Sequence, residues 1–360
     1  MSCRIFETML QNSMRYRILF FFFVSTFTVP NSLSQNLGSI SGQVFDAKTK
    51  EYLPGATVYL ANTSIGMMAN NDGSFLLNGI HPGKYSLTAS MIGYTLFSKP
   101  IVLDGNAIAG LTIFLEPKVE ELKSVEITAK RSNNRSDFSE FRRTFLGQTQ
   151  NSYQCKIINI HDIFVYRDGP KLYAVAHKPI EIVNNALGYR IYYELIDFTI
   201  DYFNNTVTLV GIPRFENLTP KKDKQMKHWV KERDRAYYGS EYHFFRSLKK
   251  KELKTNHFTI YDSDENEIAE SKLFRNNNDS TIYFKGNLRV IFDGEPREIM
   301  FPEKTRWQNS IIKFTGNPLT IYSNGYYQDY HDAILLGYFG WSNRIADILP
   351  LSYQPVSKIR

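Results

Sequence analysis

The residues able to ligate a metal ion are few and are poorly spaced for a zinc hydrolase. Such a site needs two ligands at short spacing and a third farther on, because tetrahedral coordination fixes how they converge. His177 and Glu181 are four residues apart, as are His228 and Glu232. Pro179 interrupts the first pair, and the lysines around the second pair repel a dication. We therefore interpret both pairs as surface residues, and the sequence implies no metal or other cofactor.

Two further patterns resemble catalytic or binding motifs but lack their key residues. Asp262, Asp264 and Asn266 have the spacing that opens a calcium loop, but Glu267 stands where such a loop has glycine and Leu273 where it has glutamate. We predict a solvated hairpin loop there. There is no Gly-x-Ser-x-Gly elbow and no glycine-rich phosphate loop. Carboxylate pairs for glycoside cleavage remain possible, because their partners need not be close in sequence.

Only two cysteines are present, Cys3 and Cys155. Cys155 lies in an alternating apolar stretch, so we predict that it is a buried strand residue and not a nucleophile.

Positive charge concentrates in one part of the chain. The formal net charge is +7, and between Lys221 and Lys254 twelve Lys or Arg face five Asp or Glu. The simpler interpretation is a solvated helix face. The functional alternative is contact with an anionic lipid or polysaccharide, where each basic residue contributes about 1 kcal/mol. The candidate contact residues are Lys227, Lys231, Lys249, Lys250 and Lys251.

The first 34 residues have the organisation of an export signal. Arg15 and Arg17 precede the apolar run 18–29, and Ser32 and Ser34 are small residues before a predicted cut at Gln35. The run is shorter than the roughly twenty apolar residues that span a bilayer. We therefore expect a removed signal over residues 1–34, a mature chain without a transmembrane segment, and export to the periplasm or outer membrane. Nucleic acid is accordingly not an expected partner.

The remaining sequence predicts a mainly β protein of two domains. Aromatic residues make up 14% of the chain, and Tyr and Phe favour strands. Residues 38–117 read as short alternating strands between turns such as Asn71–Gly73, which is typical of an antiparallel sandwich. Residues 118–137 read as a linker. Residues 138–360 read as a β-rich α+β domain with a helical insertion, whose helices we expect to start near 137, Pro220 and Ser240.

The motifs of the first domain resemble those of the carboxypeptidase regulatory-like domain. They follow one another as Ile40–Val44, Leu53–Val58, Asn71–Phe75 and Gly83–Leu87. Ser90–Tyr94 and Leu122–Thr128 are similar to the version in Bacteroidetes outer-membrane proteins, where it precedes the plug and barrel of starch-utilisation-type TonB-dependent receptors. The resemblance implies a seven-stranded, transthyretin-like sandwich with an accessory role. Segments 145–147, 187–191 and 239–248 resemble Bacteroidetes envelope proteins carrying the same module.

The region after Thr128 departs from those receptors, because it lacks the repeated ten-residue strands of a large barrel. We therefore expect a non-enzymatic cell-envelope binding or assembly module, with an envelope protein or polysaccharide as its partner. The alternative is an envelope hydrolase acting on glycan or peptide through a site in residues 138–360.

Overall fold

The protein is described by a computed structural model. It describes residues 37–118, 134–275, 278–296, 307–316, 318–327, 333–342 and 344–356. The predicted signal over 1–34, the Leu122–Thr128 motif and most of the predicted linker lie outside these ranges. Residues Asn36–Arg360 form one compact unit. None of the helices within the described ranges has the length and apolar character needed to cross a membrane.

Seven strands build the predicted N-terminal sandwich, which is confirmed. They are β1 (Gly38–Asp46), β2 (Thr57–Leu60), β3 (Gly66–Met68), β4 (Ser74–Ile80), β5 (Gly83–Ser90), β6 (Phe97–Leu103) and β7 (Ala107–Leu115). One sheet has the order β4-β1-β7, with β1 and β7 parallel, and the other has the order β3-β2-β5-β6. Alternate residues of both sheets face inward and enclose an apolar core that includes Ile40, Val58 and Leu87.

The first part of the second domain is a helix packed on a six-stranded sheet. Its elements are α1 (Arg135–Leu146), β8 (Cys155–Ile157), β9 (Ile163–Asp168), β10 (Lys171–Ala176), β11 (Ile180–Asn184), β12 (Tyr189–Asp201) and β13 (Thr206–Asn217). The long strand β12 pairs with β13 on one side and with both β11 and β10 on the other. The sequence pattern predicts one strand over residues 155–166, and this prediction is wrong, because the 3₁₀ turn Ile160–Asp162 separates β8 from β9.

The start of α1 also differs from the prediction. Its N-cap is Asn134, whose side chain accepts a hydrogen bond from the Ser136 N–H. Asp137, near which the helix was expected to start, lies in its first turn and binds the guanidinium of Arg167 at 2.6 Å. Residues 135–137, which the sequence pattern assigns to the linker, are helical.

The second part places two helices against two further sheets. The elements are α2 (Asp223–Tyr237), α3 (Glu241–Lys250), β14 (Phe258–Tyr261), β15 (Phe274–Arg275), β16 (Asn278–Ile282), β17 (Gly286–Pro296), β18 (Trp307–Phe314), β19 (Leu319–Thr320), β20 (Ala333–Gly337) and α4 (Tyr338–Ser342). The sheet orders are β14-β17-β18-β20 and β15-β16-β19. α3 begins beside Ser240 as predicted, and Ser240 is its N-cap. The predicted start of α2 at Pro220 is wrong, because the backbone is still extended at Lys222, the N-cap, with φ −151° and ψ 152°.

Two apolar cores support these layers. One lies between α1, the six-stranded sheet and α2, and contains Phe141, Phe198 and Tyr237. The other lies between α3 and the sheets that follow it, and contains Phe244 and Phe292. Tyr238, between α2 and α3, packs against both cores. The short link between the helices therefore marks the boundary between the two cores.

The sandwich is fixed to the second domain through its β2–β3 loop. The Asn62 N–H bonds to the Pro213 carbonyl at 2.8 Å, and the Phe215 N–H bonds to the Thr63 carbonyl at 2.9 Å. These bonds cover the outer edge of β13, which otherwise presents unpaired backbone groups. A second contact joins the Asn324 side chain to the Lys84 carbonyl at 2.8 Å.

The C-terminal segment 344–356, here called the tail, ties the layers together. The Leu351 N–H bonds to the Asn62 carbonyl of the sandwich at 2.7 Å. Asp234 of α2 accepts from the Tyr353 hydroxyl and the Val356 N–H. Arg246 of α3, which is 5% exposed, donates to the carbonyls of Asn324, Leu351 and Tyr353. The tail thereby links the sandwich to both helices.

Candidate ligand-binding cleft

A polar cleft opens at the boundary between the two cores of the second domain. Its empty volume is about 470 Å³ including the part open to solvent. The positions that the centre of a water molecule can occupy add up to about 30 Å³, which is room for on the order of two water molecules. The lining residues come from four separate parts of the chain. They are Thr149, Asn151, Arg235, Ala236, Tyr238, Ser240, Gln308, Tyr338, Ser342 and Asp347.

Asp347 is the only carboxylate among these lining residues, and its orientation is fixed. Thr149 donates its hydroxyl to one carboxylate oxygen at 2.6 Å, and Asn151 donates its amide to the other at 2.8 Å. The backbone beside Asp347 is pinned to the end of α1, because the Ala346 N–H bonds to the Leu146 carbonyl. The carboxylate is thus a preorganised acceptor with its own donors in place.

Gln308, which also lines the cleft, has a buried side-chain oxygen that lacks a donor. The residue is 4% exposed, and within the described part of the chain its Oε1 has no hydrogen-bond partner. A buried polar atom left in this state costs about 1 to 3 kcal/mol. The oxygen lies against Gly239, where an added Cβ would stand only 2.0 Å from it. Gly239 also has φ +79°, so the link between α2 and α3 needs glycine for two independent reasons.

A histidine lies behind the cleft and is not available to it. His243 is 3% exposed, and its Nδ1 accepts the Gly239 N–H at 3.2 Å. Burial, followed by the charge of Arg246, lowers the pKa of His243 to about 3. The imidazole is therefore neutral at physiological pH and holds the backbone in place. The lining offers hydrogen bonds, and its single carboxylate is not the pair that glycoside hydrolysis requires.

The structure does not bring the five predicted lysines into this cleft. Lys227 and Lys231 are exposed, one turn apart on α2. Lys250 and Lys251 are exposed at the end of α3, whereas Lys249 is half-buried and its Nζ bonds to the Ser280 hydroxyl. The two groups therefore lie on different helices, and contact with an anionic surface remains a prediction.

Three other residues whose side chains could take part in chemistry, Cys155, Glu181 and Asp262, have structural roles. Cys155 is buried in β8, and burial followed by the charge of Asp347 raises its pKa to about 12. Glu181 pairs with Arg190, and Asp262 accepts backbone N–H groups from Asp264 and Asn266 in a hairpin turn. Within the ranges that the structure describes, no group of three or more His, Cys, Asp or Glu is placed to hold a metal ion.

Sequence reasoning missed the cleft residues for a simple reason. Asp347 and Thr149 are 198 residues apart in the chain, so no local spacing signals their contact. Gly239, between two predicted helices, is the one visible signal, because a glycine at such a link marks a turn or a close approach.

Comparisons with known proteins identify the N-terminal part of the chain. A search of curated protein sequences finds no match. Among solved structures, a group B streptococcus pilus 2b backbone protein is 20% identical over 23% of this chain and 42% of its own length, with a TM-score of 0.20. The C-terminal domain of the Lactobacillus rhamnosus GG shaft pilin SpaA is 16% identical over 23% of this chain and 98% of its own, with a TM-score of 0.19. An Acinetobacter radioresistens catechol 1,2 dioxygenase mutant is 11% identical over 24% of this chain and 54% of its own length, with a TM-score of 0.20. Residues 40–127 match the family model of the CarboxypepD_reg-like domain, in agreement with the motifs quoted above.

Proposed function

We propose that this chain is a non-enzymatic binding or assembly module of the bacterial cell envelope. The observation that carries the proposal is the way the regulatory-like sandwich is built into one compact unit with the second domain. Backbone bonds from Asn62 and Thr63 reach β13, and the tail bonds back to Asn62. A sandwich held in this way presents its free surfaces at a fixed orientation, which suits a scaffold for a partner. The predicted export signal and the resemblance to Bacteroidetes envelope proteins support placement in the cell envelope.

The free surface best suited to a partner is an aromatic patch on the β4-β1-β7 sheet. It consists of Phe45, Tyr52 and Phe114, with Phe45 centred 5.0 Å from Tyr52 and 5.6 Å from Phe114. Tyr52 is 50% exposed and Phe114 43% exposed. Lys50 extends its ammonium to 4.5 Å from the Phe114 ring centre. Exposed aromatic residues are enriched at protein interfaces. We assign this patch to a protein partner in the envelope.

Co-purification from native envelopes tests the proposal. The full chain is tagged, expressed in its own host, and recovered after cross-linking. We expect an envelope protein to co-purify with the wild type and to be lost with the double variant Tyr52→Ser and Phe114→Ser. The control is Ile92→Ser, which changes an isolated side chain of the same module that is 79% exposed. The proposal would be refuted if the mature chain were recovered in the cytoplasm, or if the partner co-purified equally well with the double variant.

Contact with an anionic surface is tested separately. Lys227→Glu with Lys231→Glu, and Lys250→Glu with Lys251→Glu, each reverse two exposed charges. We expect binding to anionic vesicles to weaken in one of these variants and to fall as salt increases. If both variants bound the vesicles as the wild type does, with the same sensitivity to salt, these lysines would not belong to a functional surface.

A further inference from the structure

Asparagine followed by glycine occurs twice in this chain, at Asn78–Gly79 and at Asn324–Gly325. This dipeptide is the one most prone to spontaneous deamidation in a protein. The backbone nitrogen of the glycine attacks the side-chain carbonyl carbon of the asparagine, and glycine hinders that approach least because it has no Cβ. The two pairs have the same covalent structure, so a difference in their reactivity has to come from the fold.

The first pair lies on the surface of the sandwich, in an irregular part of β4. Asn78 and Gly79 are both exposed, whereas Leu77 and Ile80 on either side of them are buried. β4 advances three residues, from Leu77 to Ile80, where its partner β1 advances two, so the pair sits in a β-bulge. Gly79 has φ +71°, and no atom lies within 4 Å of the position where a Cβ would stand. The peptide therefore has open space and contact with water.

The second pair is buried and held by hydrogen bonds. Asn324 is 9% exposed, its Nδ2 donates to the Lys84 carbonyl at 2.8 Å, and its Oδ1 accepts the Tyr326 N–H at 3.1 Å. The Gly325 N–H, whose nitrogen would have to attack, donates to the Tyr322 carbonyl at 3.0 Å. Three hydrogen bonds would have to break before this side chain and this nitrogen could meet. The fold therefore protects Asn324.

We propose that Asn78 deamidates spontaneously in the folded protein and that Asn324 does not. The Gly79 nitrogen gives its proton to a base in the solvent and bonds to Cγ of Asn78, and ammonia leaves as a succinimide ring closes. Water then opens the ring at one of its two carbonyls, giving aspartate or isoaspartate. One water is consumed and one ammonia is released, so the reaction requires no further reagent.

Both products place a carboxylate on the outer face of β4, on the side of the strand where Leu76 is 51% exposed. Isoaspartate also lengthens the main chain by one methylene, at a bulge that already departs from regular pairing. The modification thus adds negative charge to the surface of the sandwich and leaves its core intact. It depends on the sandwich fold alone and not on the proposed envelope function.

Incubation of the purified full chain at mildly alkaline pH tests the proposal. Samples taken over time are digested, and mass spectrometry measures deamidation of the two asparagines. Isoaspartate is counted separately, by methylation with an isoaspartyl methyltransferase and labelled S-adenosylmethionine. We expect Asn78 to react at least about tenfold faster than Asn324, which requires a difference of only ~1.4 kcal/mol in activation free energy. In denaturing urea the two asparagines should react at similar rates, because the protection at Asn324 is lost.

Two variants separate the reaction at Asn78 from other sources of deamidation. Asn78→Gln keeps an exposed amide but forms the corresponding ring far more slowly, so methylation of the folded chain should fall to background. Gly79→Ala adds a methyl group beside the attacking nitrogen and should slow deamidation of Asn78. Equal rates at Asn78 and Asn324 in the folded chain would overturn the proposal. So would an unmodified Asn78 in folded protein at a time when the urea-unfolded chain has reacted, or undiminished methylation in Asn78→Gln.

Discussion

Replacing Arg246 with methionine should release the tail and loosen the attachment of the sandwich. The guanidinium donates to three backbone carbonyls, those of Asn324, Leu351 and Tyr353, at 2.6 to 2.9 Å. It also lies 5.4 Å from the centre of the Tyr237 ring. Two of the carbonyls belong to the tail, and Asn324 contacts the sandwich through Lys84. One side chain therefore connects two of the three contacts that hold the sandwich, those through the tail and through Asn324, and the bonds from Asn62 and Thr63 to β13 are the third.

The expected loss follows from the number and type of these bonds. A hydrogen bond to a charged group contributes about 1.5 to 3 kcal/mol, so three independent bonds would exceed about 4.5 kcal/mol. The tail carbonyls regain water once the tail lifts, which reduces the penalty. We therefore expect the free energy of unfolding to fall by about 3 to 5 kcal/mol. Arg143→Met, at a side chain that is 60% exposed, should change it by less than about 0.5 kcal/mol.

Amide hydrogen exchange provides the local measurement, together with urea unfolding. The Leu351 N–H bonds to Asn62 and the Val356 N–H to Asp234, so both report on the docked tail. A local loss of about 3 kcal/mol corresponds to roughly 100-fold faster exchange at these amides. The exchange rates of the amides that pair β1 with β7 should change far less. Arg246 would be shown not to hold the tail by two results together. The free energy of unfolding of Arg246→Met would lie within about 1 kcal/mol of the wild-type value, and exchange at the Leu351 amide would be unchanged.

Three further predictions concern single buried or strained positions. Asn62 has φ +60°, so Asn62→Val should destabilise the protein by about 1 to 2 kcal/mol in urea unfolding, whereas Asn62→Gly should stay close to the wild type. The pKa of His243 is about 3 when folded and about 6.5 when unfolded, so unfolding takes up a proton below pH ~6.5. As pH falls from about 6.5 towards 3, the free energy of unfolding of the wild type should therefore decrease relative to that of His243→Asn. A difference between the two that does not depend on pH would contradict this. Cys155, with a pKa of about 12, should resist a thiol reagent in the folded protein at about pH 8 and react fully in denaturing urea; rapid labelling of the folded chain would contradict its burial.

The sandwich was predictable because its signals are local. The Asn71–Gly73 turn lies between β3 and β4, and Gly73 has the positive φ that such a turn requires. The strand β13 was less predictable: the sequence pattern predicts a strand over residues 206–211 only, and that end is wrong. It continues through Pro213 to Asn217 because β13 is an edge strand, where a missing N–H does no harm. The Pro213 carbonyl then accepts from Asn62 of the sandwich, a contact that no local pattern reveals.

The cleft was not predictable from the sequence, because its residues meet only in the folded chain. Gly239 is an example. Sequence alone indicates a turn between α2 and α3 at this glycine, with Ser240 capping the second helix. Only the folded chain places Gln308 of β18 against it, with Oε1 where a side chain would start. The same backbone bonds to His243, whose burial keeps the imidazole neutral and able to accept that N–H. A substitution at Gly239 therefore acts on the turn, on the orphan acceptor and on the histidine together.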